Sequence, residues 1–225
     1  MNQTKPPEWV LYNYFRSSTS YRARIALEYK NIPYEYKAVH LLNNGGEQYS
    51  ESYKALNPLS EVPCLVHKGQ AISQSIAILE YMDEVSPLPS IYPKNSLDKA
   101  LVRQMVETVN CGLHPFSNLK VLQYLKAEGF NQDQTQKWIH HWMHIGLSAM
   151  NTLVEKHGKG FCFGSSVTAA DICLIPHLFT SRRFEVPLDN YKSLLQVEQN
   201  CQNIEAFKKA HPFVQPDTPE EFRKK

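Results

Sequence analysis

The sequence predicts an α/β domain followed by an all-α domain. Three observations carry this. Short apolar and β-branched segments alternate with helical ones up to about residue 86, in the order βαβαββα. The run Pro87-Leu88-Pro89-Ser90-Ile91-Tyr92-Pro93 cannot be helix interior and reads as an extended linker. Beyond it the periodicity is helical almost throughout. The chain of 225 residues is long enough for two small cores.

Val10-Leu11-Tyr12-Asn13-Tyr14-Phe15 is rich in the residue types that suit a strand. Ser17-Ser18-Thr19-Ser20-Tyr21-Arg22 then leads into a helix over about 20–30, where Ala23, Ala26, Leu27 and Lys30 recur at helical spacing. A strand follows at 34–39, with Tyr34, Tyr36 and Ala38 on one face. Asn43-Asn44-Gly45-Gly46 is a loop and 48–56 a short helix. Val62-Pro63-Cys64-Leu65-Val66 is a strand, His67-Lys68-Gly69-Gln70 a turn, Ala71-Ile72 a short strand, and 75–85 a helix. A parallel unit joined to a hairpin gives a small mixed sheet backed by helices. In the second half Trp138, Trp142, Ile145, Ala149 and Leu153 form an amphipathic stripe ending at Gly158 as C-cap. Thr168-Ala169-Ala170-Asp171 has the form of a capping box opening another helix.

Composition excludes several function classes. With 42% hydrophobic and 20% charged residues the chain is an ordinary globular one, and its net charge of +2 gives no case for nucleic acid or a membrane surface. The first residues, Met1-Asn2-Gln3-Thr4-Lys5-Pro6-Pro7, are polar and do not form a signal peptide. No apolar stretch approaches a membrane span. Five scattered cysteines without a Cys-x-x-Cys read as reduced, buried thiols in a cytoplasmic protein.

The candidate chemistry starts at the hydroxyl turn. Taken alone, such a turn does no more than cap a helix. It also gathers hydroxyls and unpaired backbone N–H groups at one helix N-terminus, a place to hold an anion. Two further features accompany it. Val62-Pro63 is a place for a cis peptide bond, which would turn the Val62 N–H and C=O outward to pair with an extended peptide. Gln74-Ser75 opens the third helix, where a hydroxyl and N–H groups can receive a carboxylate. Together these describe a receptor for a short cysteine-containing peptide. Tyr12 and Tyr14 carry hydroxyls near this turn, but their strand positions suit core packing. His140-His141-x-x-His144 puts two histidines on one helical face, yet lacks the glutamate and the third ligand of a metal site; no metal is expected.

Ser17-Ser18-Thr19-Ser20-Tyr21-Arg22-Ala23-Arg24-Ile25-Ala26-Leu27 resembles the S-S-C-S-W-R-x-R-I-A-L signature of the zeta-class glutathione transferases, the maleylacetoacetate isomerases. Asn57-Pro58, Val62-Pro63, Gln74-Ser75-x-Ala77-Ile78, Thr168-x-Ala170-Asp171, Arg183-Phe184 and His211-Pro212-x-x-Gln215-Pro216-Asp217-Thr218-Pro219 match in order, over nearly the whole chain. The resemblance implies a thioredoxin-like glutathione-binding domain over 7–88 and an all-helical substrate domain over 94–225, the glutathione transferase fold. It also implies a homodimer with the active site between the two domains, glutathione as cofactor, and a small dicarboxylic enone as substrate. No nucleic acid and no membrane enter.

By that resemblance Ser17 faces the glutathione sulfur, while Ser18, Ser20 and Arg22 support the turn. Gln48, Gln74 and Ser75 hold the peptide's polar ends, Val62 supplies the backbone clamp, and His114 and Asn118 contribute from the second domain. Thr19 stands where the signature has Cys, keeping a hydroxyl and losing a sulfur; His114 stands where glutamine is expected. Arg183, with Arg182 beside it, is the candidate for a substrate carboxylate, a surface ion pair being the alternative. The magnitudes suffice. A free thiol of pKa about 8.5 is only about 3% ionised at pH 7. Lowering it two units takes about 2.7 kcal/mol. One hydrogen bond to a charged group supplies about 1.5–3 kcal/mol, and a helix N-terminus about 0.3–1 kcal/mol. The implied reaction is cis–trans isomerisation of maleylacetoacetate to fumarylacetoacetate, a step of tyrosine and phenylalanine breakdown. The alternatives are glutathione conjugation of small electrophiles such as α-halo acids, and a non-catalytic interaction module.

Overall fold

The computed structural model describes residues 8–223, and the chain divides into two compact units. Among the described residues, one holds those up to Ser90 together with those from Glu205 onward; the other holds Ile91–Ile204.

The first unit is built on β1 (Trp9–Asn13), α1 (Ser18–Tyr29), β2 (Glu35–Ala38), α2 (Glu51–Lys54), β3 (Cys64–His67), β4 (Gln70–Ser73) and α3 (Ser75–Val85). The four-stranded sheet runs β2-β1-β3-β4, with β1 and β2 parallel and the other pairs antiparallel. The β3–β4 hairpin closes through Lys68-Gly69, both at positive φ (50° and 77°), the geometry a two-residue turn needs to match strand twist. Alternation along β1 sends Trp9, Leu11 and Asn13 inward, and Leu11, Ile25, Leu27, Leu65, Ile78, Leu79 and Met82 lose all exposure. Burial of a side chain of this size contributes about 1.5–3 kcal/mol. A second cluster joins Tyr14, Phe15, Val39, Tyr53, Val62 and Cys64. The helix expected at 48–56 is shorter: Glu47–Tyr49 forms a 3-10 turn and only Glu51–Lys54 is α-helical. Ser50, at ψ 147°, separates the two and caps the second by accepting the Tyr53 N–H.

The sequence assigns 94–225 to the helical half, but α9 (Glu205–Ala210) and the residues after it pack with the first unit. The reason lies in α1. Arg24, fully buried, donates to the Ala210 carbonyl at 3.1 Å, and the Tyr21 hydroxyl to the Phe207 carbonyl at 3.4 Å. α1 is thus covered by α3 and α9, and every residue from Ser20 to Leu27 is buried. The first part of the linker is pinned as well. Lys30 Nζ donates to Asp83 Oδ1 at 2.7 Å, the Ser86 carbonyl at 2.7 Å and the Pro89 carbonyl at 2.9 Å.

The second unit holds α4 (Ser96–Asn110), α5 (Leu119–Ala127), α6 (Gln132–His157), α7 (Ala169–Arg183) and α8 (Lys192–Gln202). α4 and α8 both pack against α6 and α7, and α7 is buried along most of its length. The stripe on α6 lies one position away from the expected one. Ile139, Met143, Gly146, Leu147, Met150 and Val154 are buried, while Ile145 and Ala149 are exposed. Trp138 and Trp142 flank the core instead and pack on Phe116, Trp142 stacked at 4.3 Å between ring centroids. Gly158 does cap α6, but at φ −78°, so no left-handed backbone demands it; a Cβ there would come within 2.6 Å of the Phe161 carbonyl oxygen. The requirement is space.

Candidate active site

Ser17 is the N-cap of α1. Its Oγ accepts the Ser20 N–H at 3.2 Å, and its own N–H donates to the Tyr14 carbonyl at 3.1 Å, closing a four-residue turn. Thr19 Oγ1 lies 3.0 Å from Ser17 Oγ and donates to the Val62 carbonyl at 2.9 Å. Since the one Thr19 hydroxyl proton goes to Val62, the proton shared with Ser17 is the Ser17 one. Ser17 and Thr19 are half-buried, whereas Ser18 and Ser20 are buried; Ser20 Oγ turns back to accept the Tyr14 N–H at 3.4 Å. α1 has no acidic residue in its first turn, so its positive end carries no built-in counter-charge.

Val62–Pro63 is cis. The loop before it is fixed by Asn57 Nδ2 and the Tyr53 hydroxyl, which both donate to the Glu61 carbonyl at 2.7 Å. Of the two polar groups of Val62, one is engaged within the chain. The carbonyl already accepts from Thr19 and keeps one lone pair, while the Val62 N–H donates to no other group among the described residues. Next to this loop Cys64 is fully buried, and burial pushes its thiol up to about 11, so it is no nucleophile at neutral pH.

At the start of α3, Gln74 sits at φ 70° and ψ 114°, a backbone state that costs a non-glycine residue about 1–3 kcal/mol. Ser75 behind it is buried, and its Oγ accepts from Arg22 Nη1 at 3.1 Å, which ties α3 to the fully buried Arg22 of α1. Gln48 is buried in its 3-10 turn. Its Nε2 donates to the Leu41 carbonyl at 3.3 Å, and its Oε1 has no partner among the described residues. Arg16, half-buried ahead of Ser17, lies 5.8 Å from the Phe15 ring centroid, and its buried Nε is likewise without a hydrogen bond. Sequence reasoning passed over Arg16; the signal was a cation directly ahead of the hydroxyl turn. Tyr14 packs edge-on against Phe15 and His40, and Tyr12 against Tyr53.

In the second unit, His114 opens a 3-10 turn and Asn118 caps α5 through the Lys120 N–H at 3.1 Å. The two side chains meet, Asn118 Nδ2 to His114 Nε2 at 3.3 Å. The arginine pair is divided. Arg182 is bound through both Nη atoms to the Glu198 carboxylate at 2.5 and 2.6 Å, while the Arg183 guanidinium sits 4.4 Å over the Phe184 ring. Two of the histidines on α6 have separate partners: His140 Nε2 donates to the Phe184 carbonyl, and His144 meets the Tyr191 hydroxyl.

Residues 7–84 match the glutathione S-transferase N-terminal domain. Maleylacetoacetate isomerase of Dictyostelium discoideum is 41% identical over 92% of this chain and 95% of that protein. The chain belongs to the zeta class of glutathione transferases, the maleylacetoacetate isomerase family. The solved structure of a bacterial zeta-class maleylpyruvate isomerase superposes with a TM-score of 0.90 at 37% identity, over 93% of this chain and all (100%) of that one. Maleylacetoacetate isomerase from Anaeromyxobacter dehalogenans, solved with glutathione in its active site, gives a TM-score of 0.85 at 36% identity over 96% and 100% of the two chains. The four-stranded mixed sheet and the helical unit are those of the glutathione transferase fold.

Proposed function

We propose that this zeta-class protein is a glutathione-dependent cis–trans isomerase acting on maleylacetoacetate or a close maleyl keto acid. The observation that carries the reading is the Ser17 hydroxyl at an N-terminus of α1 that has no acid of its own, beside the unpaired Val62 N–H. The relatives support it by their names and by the glutathione bound in one of them.

The residues present fit glutathione. On binding, Ser17 turns its O–H from Thr19 Oγ1 to the sulfur and, with the end of the α1 dipole, favours the ionised form. The Val62 N–H pairs with the backbone of the cysteinyl residue, and Thr19 holds the Val62 carbonyl in place for it. Gln48 Oε1, a buried acceptor without a donor, takes a peptide N–H. Gln74 and Ser75 place the N-terminus of α3 against a carboxylate. Bound there, glutathione supplies a thiolate whose reversible addition to the conjugated alkene leaves a single bond free to rotate, and it is returned unchanged. Arg183, in the Arg-Phe pair of the family motif, is the cation for a substrate carboxylate. Arg182 is held through both Nη atoms by the Glu198 carboxylate.

Incubating the protein with maleylacetone or maleylpyruvate and catalytic glutathione tests the reading. Isomerisation without loss of glutathione is the expected result. Stoichiometric adduct would mean a conjugating transferase, and no reaction a non-catalytic module; either overturns the proposal. The reading carries with it a cytoplasmic homodimer, and light scattering on the purified protein checks the dimer. Among the described residues no helix is long and apolar enough to cross a membrane.

A further inference from the structure

The C-terminal motif from His211 to Pro219 has no part in the chemistry above, yet every polar side chain in it is engaged. Gln215 Nε2 donates to the carbonyls of Lys209 and His211 at 2.7 and 2.9 Å, and Thr218 Oγ1 to the Pro212 carbonyl at 2.6 Å. His211 Nδ1 accepts the Phe213 N–H at 3.1 Å. Arg223 donates to the carbonyls of Thr218 and Pro216, and Phe213 stacks on Phe222. These contacts fold the tail on itself. Asp217 does something different. Its Oδ2 accepts the Phe15 N–H at 2.9 Å, and its Oδ1 accepts the Tyr36 hydroxyl.

Phe15 is the second residue of the turn whose fourth is Ser17. That turn is clamped from several sides. Arg24 donates to the Phe15 carbonyl at 2.9 Å and the Tyr14 carbonyl at 3.3 Å, and is itself held by Asn13 Oδ1 and the Ala210 carbonyl. The C-terminal segment therefore grips the turn twice, directly through Asp217 in the tail and, at the end of α9, through the Ala210 carbonyl that orients Arg24. A carboxylate close to a thiolate site is electrostatically unfavourable, so its presence there calls for a geometric reason.

We propose that Asp217 is a positioning residue for Ser17, fixing the Phe15 N–H and so the direction in which the turn presents the serine hydroxyl. The proposal rests on the reading of Ser17 as the group that stabilises the sulfur. It gives a sign that distinguishes it from a charge effect: without Asp217 the bound thiol becomes harder to ionise, whereas simple removal of a negative charge would make ionisation easier.

The test is an ultraviolet titration of the thiolate of glutathione bound to the full-length protein, with thermal melting in parallel. Asp217→Ala is expected to raise the apparent pKa of the bound thiol by about one unit, a tenfold fall in the thiolate-to-thiol ratio at fixed pH. Asp217→Asn, which keeps an oxygen for the Phe15 N–H, stays near wild type. Thr218→Val loosens the tail and lowers Tm without moving the titration. An Asp217→Ala thiol that titrates like wild type, or below it, overturns the proposal. If Asp217→Ala does not fold, Asp217→Glu decides, since it keeps the charge and displaces the acceptor; a wild-type titration there also overturns it. Ser17→Ala separates the two levels: if it leaves the titration unchanged the Ser17 reading fails, and if it alone shifts the titration only the Asp217 proposal fails.

Discussion

Two helix N-termini in this molecule have nearly the same caps and opposite consequences. α1 begins at Ser17 and α7 at Thr168, each a hydroxyl residue in extended backbone. The difference lies three residues on, where α1 has Ser20 and α7 has Asp171. The Asp171 carboxylate accepts the Thr168 N–H at 2.8 Å, the Thr168 hydroxyl at 2.9 Å and the Cys162 N–H at 2.7 Å, all of it buried. That end of α7 holds its own anion and is closed. The end of α1 has none; its cap is half-exposed and its hydroxyl is shared with Thr19. A capping hydroxyl with a built-in acid is structure, and the same hydroxyl without one is a site.

Breaking the two ends should give opposite results, and these are the largest effects expected. Ser17→Ala lowers kcat/KM about a hundredfold or more, since it removes a donor aimed at developing charge, but costs only about 1 kcal/mol of stability. Asp171→Ala leaves three buried donors without an acceptor and costs about 3 kcal/mol or more, while the bound thiol keeps its acidity. Isomerase kinetics and denaturant unfolding on both variants check this. Next in size is the conversion of one end into the other. Thr19→Glu places an anion in the first turn of α1, and calorimetry should then find glutathione bound about tenfold more weakly or worse. Smaller again is Thr19→Val, which frees Ser17 and the Val62 carbonyl from each other. KM for glutathione should rise by about threefold, a loss of about 0.7 kcal/mol, with Thr19→Ser restoring it. The smallest effect concerns sulfur. Exposed Cys111 should react with a thiol reagent at neutral pH without loss of activity, while Cys64, Cys162 and Cys201, whose thiols burial pushes up, react only after unfolding.

The α1 junction, the Val62–Pro63 bond, the β3–β4 hairpin and the Thr168–Asp171 box could all be read in the sequence, because each is set by residues within a few positions of one another. The rest could not, for reasons of distance or burial. Phe15 and Asp217 are 202 positions apart, so the motif containing Asp217 is visible while its partner is not. The same holds for Arg24 with Ala210 and for Arg182 with Glu198. The core stripe of α6 lies one residue from the one its tryptophans suggest, since they pack on Phe116 at its margin, beside Met143 and Leu147 within it. Thr19 shows the limit most clearly. Its identity as a departure from the family signature is plain in the sequence, but that its hydroxyl joins Ser17 to Val62 needs the three residues in space.

The most direct test of the central claim is the ionisation of glutathione held by the wild-type protein, followed by its thiolate absorbance against pH. A thiol that titrates about two units below its free value of about 8.5, and that moves back towards it in Ser17→Ala, is the predicted result. A bound thiol that titrates at its free value in both proteins would contradict the account.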